Sequence, residues 1–304
     1  MITFGLVTPS FNQGAFLGQA LDSVLGQQLV AGAAAVDYLV LDGGSTDTSC
    51  EVLAAAEERA RGMDWLRFAW ESRPDGGQYA AVNEGFGRVG GEVLGWLNAD
   101  DLYMPWALGV VAEVFEKFPE VRWLTSVSPM TVDAGGMVVG CDARWGYSAR
   151  SFRAGANLPG QGWPARWFIQ QDATFWRREL WEAAGGRLDA GWRLAADFEL
   201  WARFFERAEL YALATPLSAY RVHAAQKTAD QAAYDAEARE ILARAGGRPP
   251  GRPAGWLKRN VAAPLAALPA ARGLLAGCGL MERVKVIKHT GRGGAWRIEE
   301  RLIL

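Results

Sequence analysis

The sequence predicts an α/β fold, a mostly parallel twisted sheet with helices on both faces. Two observations carry this. Through the first hundred residues, short apolar runs of strand length alternate with stretches of helical periodicity. Each apolar run then stops at a polar cluster: Ser10-Phe11-Asn12, Asp42-Gly43-Gly44-Ser45, Asp75-Gly76-Gly77 and Asn98-Ala99-Asp100-Asp101. Strand, polar loop and helix in repetition build a parallel sheet. Ligands of such sheets bind beyond the carboxyl ends of the strands, so four strand ends aim polar groups at one crevice.

The elements follow in order. Residues 2–8 form an apolar strand, and residues 16–25 place Phe16, Ala20, Leu21, Val24 and Leu25 at helical spacing. Residues 38–41 are the second strand, and residues 48–61, rich in Ala and Glu, a good helix. Residues 66–70 are the third strand and residues 79–86 the next helix. Residues 93–97 are the fourth strand. Beyond, residues 121–127 and 137–139 read as strands, and residues 179–184 and 197–208 as helices. Residues 145–167, rich in Trp, Gly and Pro, read as a functional loop region. Residues 246–253, rich in Gly, Pro and Arg, read as a linker. The division expected is a domain over 1–243, with a nucleotide-binding half to about 105 and an acceptor half from 106, and a basic, partly helical extension over 244–304.

A chain of 304 residues buries a core without a disulfide or structural metal. Cys50, Cys141 and Cys278 are odd in number and far apart, which suits a reducing, cytoplasmic setting. The N-terminus runs straight into a strand with no basic leader pattern. The net charge of −2 hides an asymmetry. From residue 244 onward about twelve Lys or Arg stand against about three Asp or Glu, roughly +9, leaving roughly −11 for the remainder. No nucleic-acid partner is expected.

Adjacent carboxylates repel, and Asp100-Asp101 at a strand end suits a hard cation such as Mg²⁺ or Mn²⁺ held largely through substrate phosphates. A helix cap by Asp101 is the plain alternative. The first loop, Thr8-Pro9-Ser10-Phe11-Asn12, together with Asp42-Gly43-Gly44-Ser45-Thr46-Asp47, Asp75-Gly76-Gly77 and Leu97-Asn98-Ala99-Asp100-Asp101, resembles the ordered motifs of the family 2 glycosyltransferases. So do Gln170-Gln171-Asp172-Ala173-Thr174-Phe175-Trp176-Arg177-Arg178, Ala196-Asp197-Phe198-Glu199-Leu200-Trp201 and Tyr220-Arg221-Val222-His223. The resemblance spans about residues 2 to 228 and rests on the order of the motifs.

That resemblance implies a GT-A, Rossmann-like fold and an inverting transfer of sugar from a nucleotide diphosphate-sugar donor, by family frequency a UDP-linked one, to a glycan or lipid-linked glycan in cell-surface polysaccharide assembly. Thr8, Pro9, Ser10 and Asn12 with Asp42 would hold base and ribose. Asp75, Arg73 and the backbone at Gly76 would approach the nucleoside. Asn98 and Asp100 would meet the ribose or a bound water. Asp101 would ligate Mg²⁺ or Mn²⁺, with His223 near the metal, and Arg221 and Lys227 would face phosphate. Asp197 would be the general base. Turn-forming roles for Asp42 and Asp75, and a cap for Asp197, remain open alternatives. Asp47 reads as structural. Relatives often carry an acidic residue before the base; here it is Ala196. Trp163 and Trp167 are acceptor candidates, and Trp201 belongs to the core.

The tail has no clean apolar stretch of about twenty residues. Its leucines flanked by Lys and Arg suit peripheral contact with an anionic inner membrane face, or else a helical hairpin packed on the domain. Two rival functions are a sugar nucleotidyltransferase and a non-catalytic nucleotide-sugar-binding scaffold. The first expects a basic residue in the first loop, which Thr8 to Gly14 lacks. An intact Asp101 with Asp197 argues against the second.

Overall fold

The computed structural model describes residues 1–29, 32, 34–158, 168–224, 226, 230–248 and 258–303. Strands β1 (Ile2–Ser10), β2 (Ala34–Asp42), β3 (Leu66–Ser72) and β4 (Val93–Trp96) are parallel, in the order β4-β1-β2-β3. Helices α1 (Gly14–Leu25), α2 (Ser49–Ala60) and α3 (Gln78–Arg88) make the crossovers. The register sets Ser10 beside Asp42 and Asp42 beside Ser72. These strand ends therefore share one edge of the sheet, as the polar clusters predict.

Side chains alternate along each strand. Phe4, Leu6, Val36, Tyr38 and Val40 enter one apolar layer, and Val7, Leu39 and Leu41 the other. Two packed layers on one sheet explain why these strands read as nearly continuous apolar runs. Close approach fixes Gly85 on α3, where a Cβ would lie 2.5 Å from Val7 Cγ1.

After β4 the chain forms β5 (Leu102–Tyr103), α4 (Ala107–Lys117), β6 (Trp123–Ser126), β7 (Met130–Val132), β8 (Val138–Cys141) and α5 (Ala149–Arg153). Then come β9 (Thr174–Arg177), α6 (Arg178–Ala183), α7 (Ala196–Phe205), β10 (Leu210–Leu213), β11 (Ser218–Arg221) and α8 (Gln231–Arg244). β9 lies antiparallel between β4 and β6. β5, β11, β7 and β8 form a separate small sheet. Under the second half lies an aromatic core. Trp201 stacks on Trp123 at 5.6 Å and meets Trp176 edge-on at 5.7 Å, with Phe204 and Phe205 around them. Each such ring fully buried contributes roughly 1.5–3 kcal/mol.

The tail differs from the expected helical packing. Beyond short helices Ala263–Ala266 and Pro269–Gly277, it ends in a hairpin of Glu282–His289 and Trp296–Ile303. The first hairpin strand runs parallel to β10, pairing Ala212 with Val286 and Leu213 with Ile287, so the chain's end completes a nine-stranded sheet. Its Lys and Arg conceal the strand pattern, but they pair across the sheet: Lys285 with Glu209 and Lys288 with Glu299, both at 2.8 Å. Among the described residues no helix is long and apolar enough to cross a membrane.

Candidate active site

A cavity of about 800 Å³ opens at the carboxyl ends of the parallel strands. The nucleotide-side candidates Pro9, Ser10, Asp75, Asn98, Asp100 and Asp101 line it, and Asp197 lines it from the start of α7. The sheet thus gathers into one wall residues nearly two hundred positions apart. On that wall the Ser10 hydroxyl and Gln13 Oε1 are buried and lack a hydrogen-bond partner among the described residues. Burying a polar atom unpaired is costly, so these two are positioned for a ligand. Phe11, 60% exposed, presents its ring to the same cavity beside Gly43 and Asp75.

Six predicted residues stand elsewhere: Thr8, Asn12, Asp42, Arg73, Gly76 and His223 do not line the cavity. Thr8 is buried, its hydroxyl 2.9 Å from that of Tyr38. The Asn12 carbonyl oxygen accepts the Thr46 N–H at 2.9 Å, tying the first loop to the second. Asp42 accepts from the N–H groups of Gly44 and Ser45 and the hydroxyls of Ser45 and Ser72, at 3.2, 2.8, 2.5 and 2.7 Å. Its turn-forming alternative is the one the geometry shows, because the glycines let the backbone fold onto the carboxylate. Asp75 does both jobs, accepting Gly77 N–H at 2.7 Å while lining the cavity. Arg73 lies on the surface, ion-paired with Glu71 and Glu84 at 2.6 Å each. His223 stacks on Phe16 at 4.3 Å, and its Nε2 lies 3.0 Å from Asp100 Oδ2. It braces a carboxylate. Trp163, Trp167 and Lys227 lie outside the described residues.

The helix-cap alternative for Asp101 fails, since β5 follows it directly and α4 begins only at Ala107. Asp101 is 1% exposed. Its Oδ1 accepts Arg221 N–H at 2.9 Å and its Oδ2 accepts Asn98 Nδ2 at 3.0 Å. Burial, then the charges of Asp172 and Asp100, push its carboxyl well above the usual range. Arg221 is fully buried, but its guanidinium is engaged by the carbonyls of Asp100, Asp133 and Ala134 and by Gln19 Oε1. The charges of Asp100 and Asp172 thus reach Asp101, partly offset by the positive guanidinium of Arg221. Such an oxygen-rich, electron-rich corner fits a hard divalent cation that completes its shell with phosphate and water. Among the described residues no group of three or more His, Cys, Asp or Glu is arranged as a self-sufficient metal site.

Asp197 sits in the first turn of α7 and does not cap it; the N-cap residue is Ala195. Its carboxylate accepts the Tyr234 hydroxyl at 3.2 and 3.3 Å. Burial pushes the Asp197 carboxyl up to about 6. Glu199 faces away, bound by Arg203 at 2.8 and 2.6 Å.

Sequence reasoning gave no role to Phe11, Gln171, Asp172 or Tyr234, all of which line the cavity. Phe11, Gln171 and Asp172 stood inside quoted motifs, so position in a motif was the available signal. Tyr234 had none: helical periodicity does not tell a core tyrosine from one that meets a carboxylate.

Known proteins resemble this chain in sequence and in fold. The family profile described as Glycosyl transferase family 2 matches residues 6–129. An uncharacterized glycosyltransferase of Mycobacterium tuberculosis is 30% identical over 200 residues, covering 65% of this chain and 66% of that protein. One from Nostoc sp. is 32% identical over 111 residues, covering 36% of this chain and 32% of that protein. The chain thus spans about a third of the Nostoc relative and just under two thirds of the mycobacterial one. Among solved structures, Staphylococcus aureus TarS 1–349 in complex with UDP-GlcNAc superposes with a TM-score of 0.56 at 14% identity, covering 86% of this chain and 76% of that one. The mannosyltransferase PcManGT from Pyrobaculum calidifontis, in complex with GDP-Man and Mn²⁺, gives 0.55 at 18% identity, covering 91% and 79%. At these identities the structural likeness speaks for the fold alone. The ordered strand-end motifs, the sequence match over residues 6–129 and the shared architecture converge: the chain has the GT-A fold and, over its nucleotide-side half, is similar to glycosyl transferase family 2.

Proposed function

We propose that this protein is an inverting glycosyltransferase that moves a sugar from a nucleoside diphosphate donor to a glycan hydroxyl. The observation that carries the reading is one cavity lined both by the Asp100-Asp101 end of β4 and by Asp197 of α7. The donor's base lies against Phe11, Pro9 and Gly43, with Asp75, Ser10 and Gln13 offering polar contacts. Its diphosphate points toward Asp100 and Asp101. The acceptor enters from the side of Asp197 and Tyr234. Its hydroxyl oxygen attacks the anomeric carbon on the face opposite the diphosphate, the carbon–oxygen bond to the diphosphate breaks, and the hydroxyl proton passes to Asp197 Oδ. Held by Asp101 with Asp100 beside it, Mg²⁺ or Mn²⁺ would supply positive charge to the leaving diphosphate. Asn98 and Arg221 hold the Asp101 carboxylate, and His223 holds Asp100.

The donor we favour is UDP-linked, a reading that the UDP-GlcNAc complex of the TarS neighbour supports and the GDP-Man complex of the archaeal one keeps within the wider class of nucleoside diphosphate sugars. The acceptor we favour is lipid-linked, in polysaccharide assembly at the inner membrane face. Residues 244–281 hold six Lys or Arg and no Asp or Glu, and Leu265 and Leu274 on the short helices there and Leu268 between them are exposed. This combination suits an anionic lipid surface.

Incubation with Mn²⁺ and a panel of nucleotide sugars tests the reaction. Donor consumption that disappears in Asp101→Ala and Asp197→Asn supports it. Unchanged turnover in both variants would sink it.

A further inference from the structure

Helix α8 has no assigned part in the reaction, yet its contact with α7 is specific. Tyr234 on α8 donates its hydroxyl to the Asp197 carboxylate at 3.2 and 3.3 Å. One turn further, the Glu237 carboxylate accepts the backbone N–H of Leu194 and Ala195 at 2.9 Å each, and of Arg193 at 3.2 Å. These residues lead directly into the turn that carries Asp197. Ala195 and its neighbours have no side chain able to accept from those N–H groups, so α8 supplies the acceptor for the stretch that leads into α7. From the other side, Tyr79 of α3 donates to the Leu194 carbonyl at 2.6 Å. The start of α8 is tied to the same stretch: Arg193 pairs with Asp230 at 3.0 Å.

We infer that Tyr234 and Glu237 are positioning residues that hold and tune the Asp197 carboxylate from one face of α8. The inference rests on Asp197 being the base. The spacing i, i+3 puts both side chains over the same turn of α7. Their electrostatic effects oppose each other. A hydroxyl donated to the carboxylate favours its charged form, whereas the Glu237 charge disfavours it. Among the described residues, the other ionisable groups near this stretch are Tyr79 on α3, which adds no charge at neutral pH, Glu199 on α7, which is turned to Arg203, and the Arg193–Asp230 ion pair. A purely mechanical clamp would hold Asp197 in place without this opposed pair. The geometry provides both a clamp and a balance.

The test uses the full chain with ¹³C-labelled aspartate carboxyls, the Asp197 signal being assigned by its loss in Asp197→Asn. In the unaltered protein it titrates with a midpoint near about 6. Tyr234→Phe moves the midpoint up by about one pH unit, and Glu237→Gln moves it down. Melting curves establish that each variant is folded, and either variant alone gives a sign that decides the matter. Midpoints that stay in place, or that move opposite to these directions, overturn the inference. Donor consumption in Asp197→Asn is read separately. If it persists, the base assignment falls while the titration results still stand as a measurement of the clamp.

Discussion

The Asn98 side chain donates to Asp101 Oδ2 at 3.0 Å, and its own carbonyl oxygen accepts from Gln78 Nε2 at 2.8 Å and Trp96 Nε1 at 2.9 Å. It also donates to Gln171 Oε1 at 3.2 Å. One amide thus joins the end of β4, the first residue of α3, the loop before β9 and the carboxylate of Asp101. Asn98 lines the cavity, but its hydrogen-bonding capacity is taken up by the protein. Its part is to aim Asp101.

Replacing Asn98 with Ala should therefore harm both stability and activity. Buried partners lose their bonds together, so a loss of about 1–3 kcal/mol is expected in urea unfolding with unchanged m-value. Donor consumption should fall with it. A variant as stable as the parent would show that this network is dispensable.

Asp197→Asn should separate stability from function. With Asp197 as the proposed general base, its removal is expected to cost about 10²- to 10⁴-fold in turnover. Stability should move the other way. Burial raises the folded-state value to about 6, above the ordinary carboxylate value near 4. The folded chain thus retains a proton that the unfolded chain releases. That contribution is fully present below the unfolded value and is lost as pH rises through about 6. The Asn variant should accordingly show a shallower decline between about pH 4 and 6, and equal or greater stability at neutral pH. Part of the slope remains because Asp172 is also pushed up to about 6 by burial. Denaturant midpoints across this range, identical in slope for both proteins, would contradict the expectation.

The tail calls for substitution in place of truncation. Cutting the chain after Arg244 would strip the hairpin strand from β10 and expose a sheet edge, so mislocation after truncation would be ambiguous. Leu268→Glu with Leu274→Glu alters side chains that are 59% and 72% exposed and leaves the sheet intact. The parent chain should co-sediment with phosphatidylglycerol vesicles, less so as salt rises, and the double variant should remain in solution. An intact chain that ignores anionic vesicles would remove membrane contact from the proposed role.

The parallel sheet and the edge where its cavity opens were legible because they depend on local pattern. An apolar run, a polar stop and an amphipathic stretch are all short-range features, and four repeats leave little choice of topology. Asp101 and Asp197 were legible through motif order. The hairpin at the chain's end was not, because its charged residues are satisfied by partners distant in sequence, such as Lys285 by Glu209.

By itself, then, the sequence determined the fold class, the end of the sheet where the cavity opens, and several of the acidic residues that line it. Tertiary structure alone decided how those residues divide the work. Asp42 closes a turn and His223 braces Asp100, while Asp101 faces the cavity under the hold of Asn98 and Arg221. Asp197 comes under the hydroxyl of Tyr234. The physical reason is that hydrogen-bond capacity is finite. Whether a carboxylate is available to a ligand depends on which donors have reached it first, and those donors arrive from elements tens to hundreds of residues away.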